Sequence, residues 1–260
     1  MVNFSFSFTD LEYFLLIVVR VSMFISLAPF FSLQGVPRQV KVGLSLFIAI
    51  LLFPVVPMHE PLEYNTILGY AFIVAKEALT GLLLGLSVSI CMGIIGFAGR
   101  IMDMEIGLAM VNLMDPTTKE TNSISGVLYQ YLITLILIIS GMHRYLLQAL
   151  AETFILIPVN GAVFNMDALL SSMLTFLVEY VMIGFRICLP VFAAMLLLNA
   201  VLGILAKVAP QMNMFAVGIQ LKVLVGLCVL FFTTGMLPGM ADFIFTEMKR
   251  MMVMFVESMM

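Results

Sequence analysis

Charge is what this sequence has least of. Asp, Glu, Lys and Arg make up 10% of its 260 residues, against 63% hydrophobic, where a soluble domain carries about 25% charged residues. That balance leaves no room for a separate soluble domain. The chain is an integral membrane protein, or one that is apolar all round because other subunits surround it. A formal net charge of −3 is too small to attract nucleic acid or steer acidic substrates, so no nucleic-acid partner is expected. Tryptophan is absent, which leaves any interfacial belt to Tyr and Phe. No Lys or Arg precedes Arg20, so the basic start of a cleavable signal peptide is missing.

Other absences exclude chemistry. Cys91, Cys188 and Cys228 stand far apart in apolar runs, with no CxxC pair, the pattern of small core residues and not of disulfides or a metal site. Two histidines, His59 and His143, cannot build a metal centre. HExxH, GxSxG, GxxxxGK and a dinucleotide fingerprint are all missing. No cofactor, no metal and no enzymatic activity are therefore expected. Asp103 and Glu105, on what reads as a loop, could mimic a carboxylate dyad, but nothing apolar in the sequence encloses them.

What the chain does have is apolar runs, at residues 11–33, 40–57, 67–98, 124–142, 168–206 and 212–236, with shorter amphipathic pieces at 145–157 and 240–259. The expected fold is all-α. As single helices, 67–98 and 168–206 would be about 48 and 58 Å long, more than the ~30 Å of a hydrocarbon core. Pro190 is placed to break or kink the second. Loop charges give no clean topology either: Arg38 and Lys41 put the first loop inside, yet alternation leaves Lys249-Arg250 outside. Re-entrant or hairpin elements in place of true spans would explain both.

Arg20, Lys76, Glu77, Glu179, Arg186 and Lys222 all fall inside apolar runs. At a bilayer centre each costs about 2.5–3.5 kcal/mol or more, so an intramembrane charge is expected to be paired or functional. The pairs form between helices of this chain or with other subunits. Glu179 and Arg186 share a helix face at a spacing that brackets one partner. Gly81, Gly85, Ser89 and Gly93 form a stripe at four-residue spacing, which lets two backbones approach closely. Gly218, Lys222 and Gly226 repeat it, placing Lys222 on a close-packed face.

Residues 99–122 stand apart. They carry Arg100, Asp103, Glu105, Asp115, Lys119 and Glu120, an Asp-Pro turn and a polar tail, around the apolar middle Ile106, Gly107, Leu108, Ala109, Met110, Val111, Asn112, Leu113 and Met114, closed by Asp115-Pro116. This is the pattern of a short apolar plug whose base Arg100, Asp103 and Glu105 hold by charge; an ordinary connecting loop is the alternative. Thr121, Asn122 and Ser123 are the candidate N-caps of the helix that follows. Methionine, at 23 residues, clusters in this segment, at Met212 and Met214, and near the C-terminus. Its unbranched side chain packs irregular gaps; Met110 and Met114 read as part of a deformable seal.

Taken together, these residues resemble the FliR family of flagellar export-gate proteins and its counterparts in virulence-associated type III secretion. The most specific stretches are Gly107-Leu-Ala-Met-Val-Asn-Leu-Met-Asp-Pro116, Ser140-Gly-Met-His-Arg-Tyr-Leu-Leu147 and Leu202-Gly-Ile-Leu-Ala-Lys-Val-Ala-Pro-Gln-Met-Asn-Met-Phe-Ala-Val-Gly218. Arg20, Ala28-Pro29 and Val36-Pro-Arg-Gln-Val-Lys41 also match. After Gly218 many members have Phe-Pro, and Ile219-Gln220 stands here instead, a departure that touches the local turn. The resemblance covers essentially the whole chain and implies one domain, residues 1–260, with a plug loop at about 106–122. It implies membrane-derived helical hairpins forming one subunit of a helical gate, together with FliP-like and FliQ-like subunits and other export-apparatus membrane proteins. Unfolded export substrates would pass through that gate, in the bacterial inner membrane at the flagellar basal body. Alternatives are a virulence-type secretion homologue, or a secondary transporter with helices broken at Pro190 and Pro210. The transporter needs two similar halves, and no internal repeat is visible.

Overall fold

The computed structural model describes residues 8–32, 36–56, 62, 64, 66–109, 123–211 and 213–260, with the side chains of all but Met214 and Phe215. All regular structure among them is helical: α1 (Phe8–Leu27), α2 (Arg38–Leu52), α3 (Ile67–Ile106), α4 (Ile124–Ile139), α5 (Met142–Leu156), α6 (Met166–Val208), α7 (Met214–Thr233), a 3-10 turn (Thr234–Met236) and α8 (Leu237–Glu257). The expected all-α fold is the observed one.

Local chemistry sets most boundaries. Helix α1 buries Tyr13, Leu16, Ile17, Arg20, Val21, Phe24 and Ile25, at the three- and four-residue spacing that makes one face. It stops short of Pro29, because a proline biases the residue before it away from helical geometry. Pro37 occupies the N-cap position of α2. The αL residue Gly141 (φ 79°) parts α4 from α5. Asn165 Oδ1 accepts from Ala168 N at 3.2 Å at the start of α6, and Asn213 Oδ1 accepts from Ala216 N at 3.4 Å in α7, each satisfying one orphan donor of a first turn.

Two helices run further than their apolar runs. Helix α3 has 40 residues and α6 has 43, about 60 and 64 Å at 1.5 Å per residue. Pro190 lies inside α6 without ending it. Its ring supplies no N–H to the Arg186 carbonyl four residues back, and the flanking apolar turns carry the helix through the gap. The break expected there does not occur. Helix α3 likewise continues eight residues past Ala98, through Arg100, Asp103 and Glu105, so these three charges belong to a helix and not to a loop. Ile219-Gln220 sits within α7, where there is no turn to disturb.

Three stretches, Ile67–Ile106, Met166–Val208 and Ala216–Glu257, are long and apolar enough to cross a membrane, and α4 with α5 makes a fourth if they form one broken span. They differ in what surrounds them. The most apolar window of the first is 56% buried inside the protein, against 22% in each of the other two. Helix α3 is therefore a core helix, while α6 and α7–α8 turn most of their apolar surface outward.

The helices gather into two compact units, Met1–Ile90 with Ser140–Phe176 and Thr246–Met260, and Cys91–Ile139 with Leu177–Phe245. In the first, Leu16, Phe24, Leu84, Leu146, Phe154 and Phe255 are fully buried. Val163 N donates to the Met259 carbonyl at 2.8 Å and Asn165 N to that of Ser258 at 3.2 Å, tying the end of the chain into this unit. In the second, Phe97 packs against Tyr180 and Phe185, with ring centroids 5.5 and 6.0 Å away. The Tyr129 hydroxyl bonds to Thr233 Oγ1 and donates to the Leu230 carbonyl, joining α4 to α7.

Candidate functional site

In the second unit, the segment expected to act as a plug leaves and returns at one place. Helix α3 ends at Ile106, and Gly107 follows in the left-handed region (φ 92°), with its N–H donating to the Asp103 carbonyl at 3.0 Å. This is the αL termination that glycine allows. Helix α4 then starts behind Ser123, whose Oγ accepts from Gly126 N at 2.9 Å. Of the three candidate caps it is Ser123 that caps; Thr121 and Asn122 lie outside the described residues.

Asp103 closes the base. Only 2% exposed, it reaches from the last turn of α3 so that Oδ1 accepts from Ser125 N at 3.2 Å in the first turn of α4. A carboxylate at a helix N-terminus satisfies an orphan donor and meets the positive end of the macrodipole. Asp103 Oδ2 and Ser125 Oγ have no hydrogen-bond partner among the described residues. Four residues earlier the two backbones nearly touch: a Cβ built on Gly99 would stand 2.1 Å from Gly126 Cα. Fully buried Ile106 fills a notch over Gly226, where a Cβ would stand 2.6 Å from its Cγ2.

The first unit holds a buried charge clasp. Arg20 Nε donates to Glu77 Oε2 at 2.6 Å and Nη2 to Oε1 at 3.0 Å, with both side chains fully buried. The guanidinium also reaches the end of α5, donating from Nη1 to the Ile157 carbonyl at 2.9 Å and lying 4.3 Å from the centroid of the Phe154 ring. Glu77 Oε1 accepts from Asn160 N at 2.8 Å, while Lys76 Nζ donates to the Asn160 carbonyl at 2.8 Å. One cation thus serves the carbonyls at a helix C-terminus, the favourable end of the macrodipole, and binds α1, α3 and the α5–α6 connection together. The stripe on α3 lets the helices close around it: a Cβ on Gly81 would stand 2.2 Å from the Arg20 carbonyl oxygen, and one on Gly85 2.9 Å from that of Phe24.

The sequence matches the family described as bacterial export proteins, family 1, over residues 11–248. The chain belongs to that family. Its relatives include flagellar biosynthetic protein FliR of Bacillus subtilis, 30% identical over 220 residues, with 84% of each chain covered. FliR of Pectobacterium carotovorum is 27% identical over 229 residues, covering 88% of this chain and 87% of its own. FliR of Escherichia coli is 26% identical over 231 residues, covering 88% and 87%. As a FliR-family protein with helices of membrane-spanning length, the chain is a membrane subunit of the flagellar type III export apparatus.

Against this FliR frame the expected site residues fall into place unevenly. Ile106 is helical and buried in the core of its unit; Gly107, Leu108 and Ala109 begin the segment. Met110, Val111, Asn112, Leu113, Met114, Asp115 and Pro116 lie outside the described residues, as do Lys119 and Glu120. At the base, Asp103 acts by capping α4. Arg100 is exposed and Glu105 half-buried, no ion pair links the three among the described residues, and what the described base shows is a cap and a glycine crossing.

Of the charges named in the apolar runs, Arg20 and Glu77 are buried. Lys76, Glu179 and Lys222 are half-buried and Arg186 is exposed. Arg186 is exposed because none of the described residues covers the outer face of α6 that carries it. The stripe divides too: Gly81 and Gly85 meet α1, Gly93 faces Tyr180, whose hydroxyl donates to the Gly93 carbonyl at 2.8 Å, and Ser89 is half-buried. Met248, Met251, Met252 and Met259 are core residues of the first unit. Met212 lies outside the described residues.

The Gly99–Gly126 crossing escaped the sequence reading. Ser123-x-x-Gly126 at the start of α4, facing Gly99 of α3, is the signal that marks it.

Proposed function

We propose that this chain is a gate subunit of the flagellar export apparatus, helping to form and to close the channel through which unfolded flagellar proteins leave the cell. It works without enzymatic activity of its own, beside FliP-like and FliQ-like subunits in the inner membrane at the basal body. The whole chain acts as one gate domain. The segment 107–122 is its movable closure, and residues 107–116 supply the apolar plug. Met110 and Met114 contribute to a deformable seal.

One observation supports this reading most. Both ends of the segment are pinned at a single base, through Asp103 to Ser125 and Gly99 to Gly126. An apolar segment anchored at such a base can fill a passage and leave it again without disturbing the helices that carry it. The outward apolar faces of α6 and α7–α8 support the assembly part, since α6 alone is about twice the length that ~30 Å of hydrocarbon covers, and neighbouring protein would cover the rest.

The test is deletion of residues 108–114 in the chromosomal gene. The expected outcome is a complex that still assembles with FliP-like and FliQ-like partners but leaks ions and small dyes at rest. Loss of assembly would show that the segment is core. An assembled complex that stays tight would show that another element closes the passage.

A further inference from the structure

The second unit carries a cleft of about 450 Å³ that the plug reading does not use. Its lining comes from α6 (Ile183, Arg186, Ile187) and from the joint between α7 and α8 (Gly235, Met236, Gly239, Met240, Phe243). Arg186 is exposed and has no ion-pair partner among the described residues. The cleft is thus apolar except for one cation, and that cation lies between turns of α6 whose other outward residues are Met182, Phe185 and Leu189.

The joint is unusual in a second way. Gly235 and Gly239 are four residues apart, and a Cβ on either would find nothing within 4 Å. Small residues at this spacing let a second helix bring its backbone close. Here the glycines leave a groove that no helix among the described residues enters. A lipid phosphate would answer the charge of Arg186, but acyl chains gain nothing from paired glycines. The outward apolar stripe of α6, from Leu177 through Phe185 and Leu197 to Val208, is about 47 Å long, more than the ~30 Å that lipid covers. A protein helix fits the glycines, the length and the charge together.

We propose that this cleft docks an apolar helix of another integral membrane subunit, and that this helix carries one Asp or Glu to pair with Arg186. The inference rests on the gate-subunit reading above and names the partner chemistry of one of its faces. A carboxylate and a guanidinium meet there in a water-poor groove, where the bidentate geometry of arginine gives register as well as attraction.

A photoreactive amino acid at Met236, in the full-length chain expressed in cells, tests this directly. The expected product is a crosslink to a membrane protein, at an apolar segment containing an acidic residue. Arg186→Glu should lower its yield by on the order of tenfold or more, Arg186→Lys should largely keep it, and changing that acidic residue to Lys should restore it in the Arg186→Glu background. Arg186→Gln, which removes the charge without reversing it, should give an intermediate loss at unchanged membrane insertion. A crosslink to phospholipid, a protein crosslink indifferent to the charge at 186, or no crosslink from a chain that still co-purifies with its export partners would each overturn the proposal alone. A chain that co-purifies with no export partner would overturn the gate-subunit reading, and this proposal with it.

Discussion

Replacing Glu77 by Gln separates charge from shape in the clasp of the first unit. The carboxylate accepts three donors, Arg20 Nε, Arg20 Nη2 and Asn160 N. A Gln amide has one acceptor oxygen, and its NH2 turns donor against donor, so at least one of the three is stranded. Arg20 then keeps its charge in a fully buried place, with the carbonyls near the end of α5 and the Phe154 ring as its remaining company. Removing one partner of a buried ion pair costs about 3–5 kcal/mol. That is two to four orders of magnitude in a folding equilibrium at ~1.4 kcal/mol per tenfold, out of a total stability of about 5–15 kcal/mol.

Arg20→Met alone strands the carboxylate, with Asn160 N still bonded to it. The double variant Arg20→Met/Glu77→Leu removes both charges and leaves only backbone groups short of partners, at roughly 1–3 kcal/mol each. Its loss should fall short of the sum of the losses in Arg20→Met and Glu77→Leu measured singly by about 0.5–3 kcal/mol. Thermal unfolding of the purified full-length chain, followed by helical ellipticity, reads this, with recovery from membranes as a second measure. Arg250→Ala is the control: its pair with Glu247 is 3.9 Å long with the arginine half exposed, and such pairs contribute about 0–1 kcal/mol. If Glu77→Gln melts with the control, or the double loss equals the sum, the clasp is not held by charge.

Gly85→Leu should sharply reduce swimming on soft agar, because its first carbon already meets the Phe24 carbonyl oxygen at 2.9 Å and Leu27 Cβ at 3.0 Å; overpacking of this kind costs ~1–3 kcal/mol or more. Leu86→Ile beside it should swim normally. Gly99→Ala should damage assembly or tightness, since its Cβ would overlap the backbone of Gly126; Gly43→Ala, with nothing within 4 Å, should leave both unchanged. Asp103→Ala should lower the melting temperature through the lost cap, at about 0.5–2 kcal/mol, while Asp103→Asn, which keeps an acceptor oxygen for Ser125 N, should lose less.

The helices were legible because apolar runs of this length leave few alternatives. Their ends were harder. The charges after Ala98 look like the start of a loop, but Asp103 is buried because it serves the first turn of α4, and no local pattern records a partner that far along the chain. Arg20, Lys76 and Glu77 stood out at once as charges among apolar residues. That Arg20 would meet the Ile157 carbonyl, or Glu77 the Asn160 N–H, was hidden, since backbone groups carry no sequence signature. The stripe on α3 was readable as a close approach, though not that Gly81 and Gly85 would face α1 while Gly93 faced Tyr180. Arg186 shows the converse: a charge in an apolar run promises a partner, and none of the described residues pairs with it.

The pinned base also sets a leash. Fifteen residues, 108–122, separate Gly107 from Ser123, and a chain fixed at both ends has at most half its contour in which to reach outward. At about 3.4 Å per residue no part of it can lie further than roughly 25 Å from both Gly107 and Ser123. On the plug proposal, whatever the segment obstructs lies within that radius. Lengthening the tether with a few Gly-Ser pairs next to Thr117 would enlarge the radius without touching the anchor, so segment and anchor are parts that can be redesigned separately.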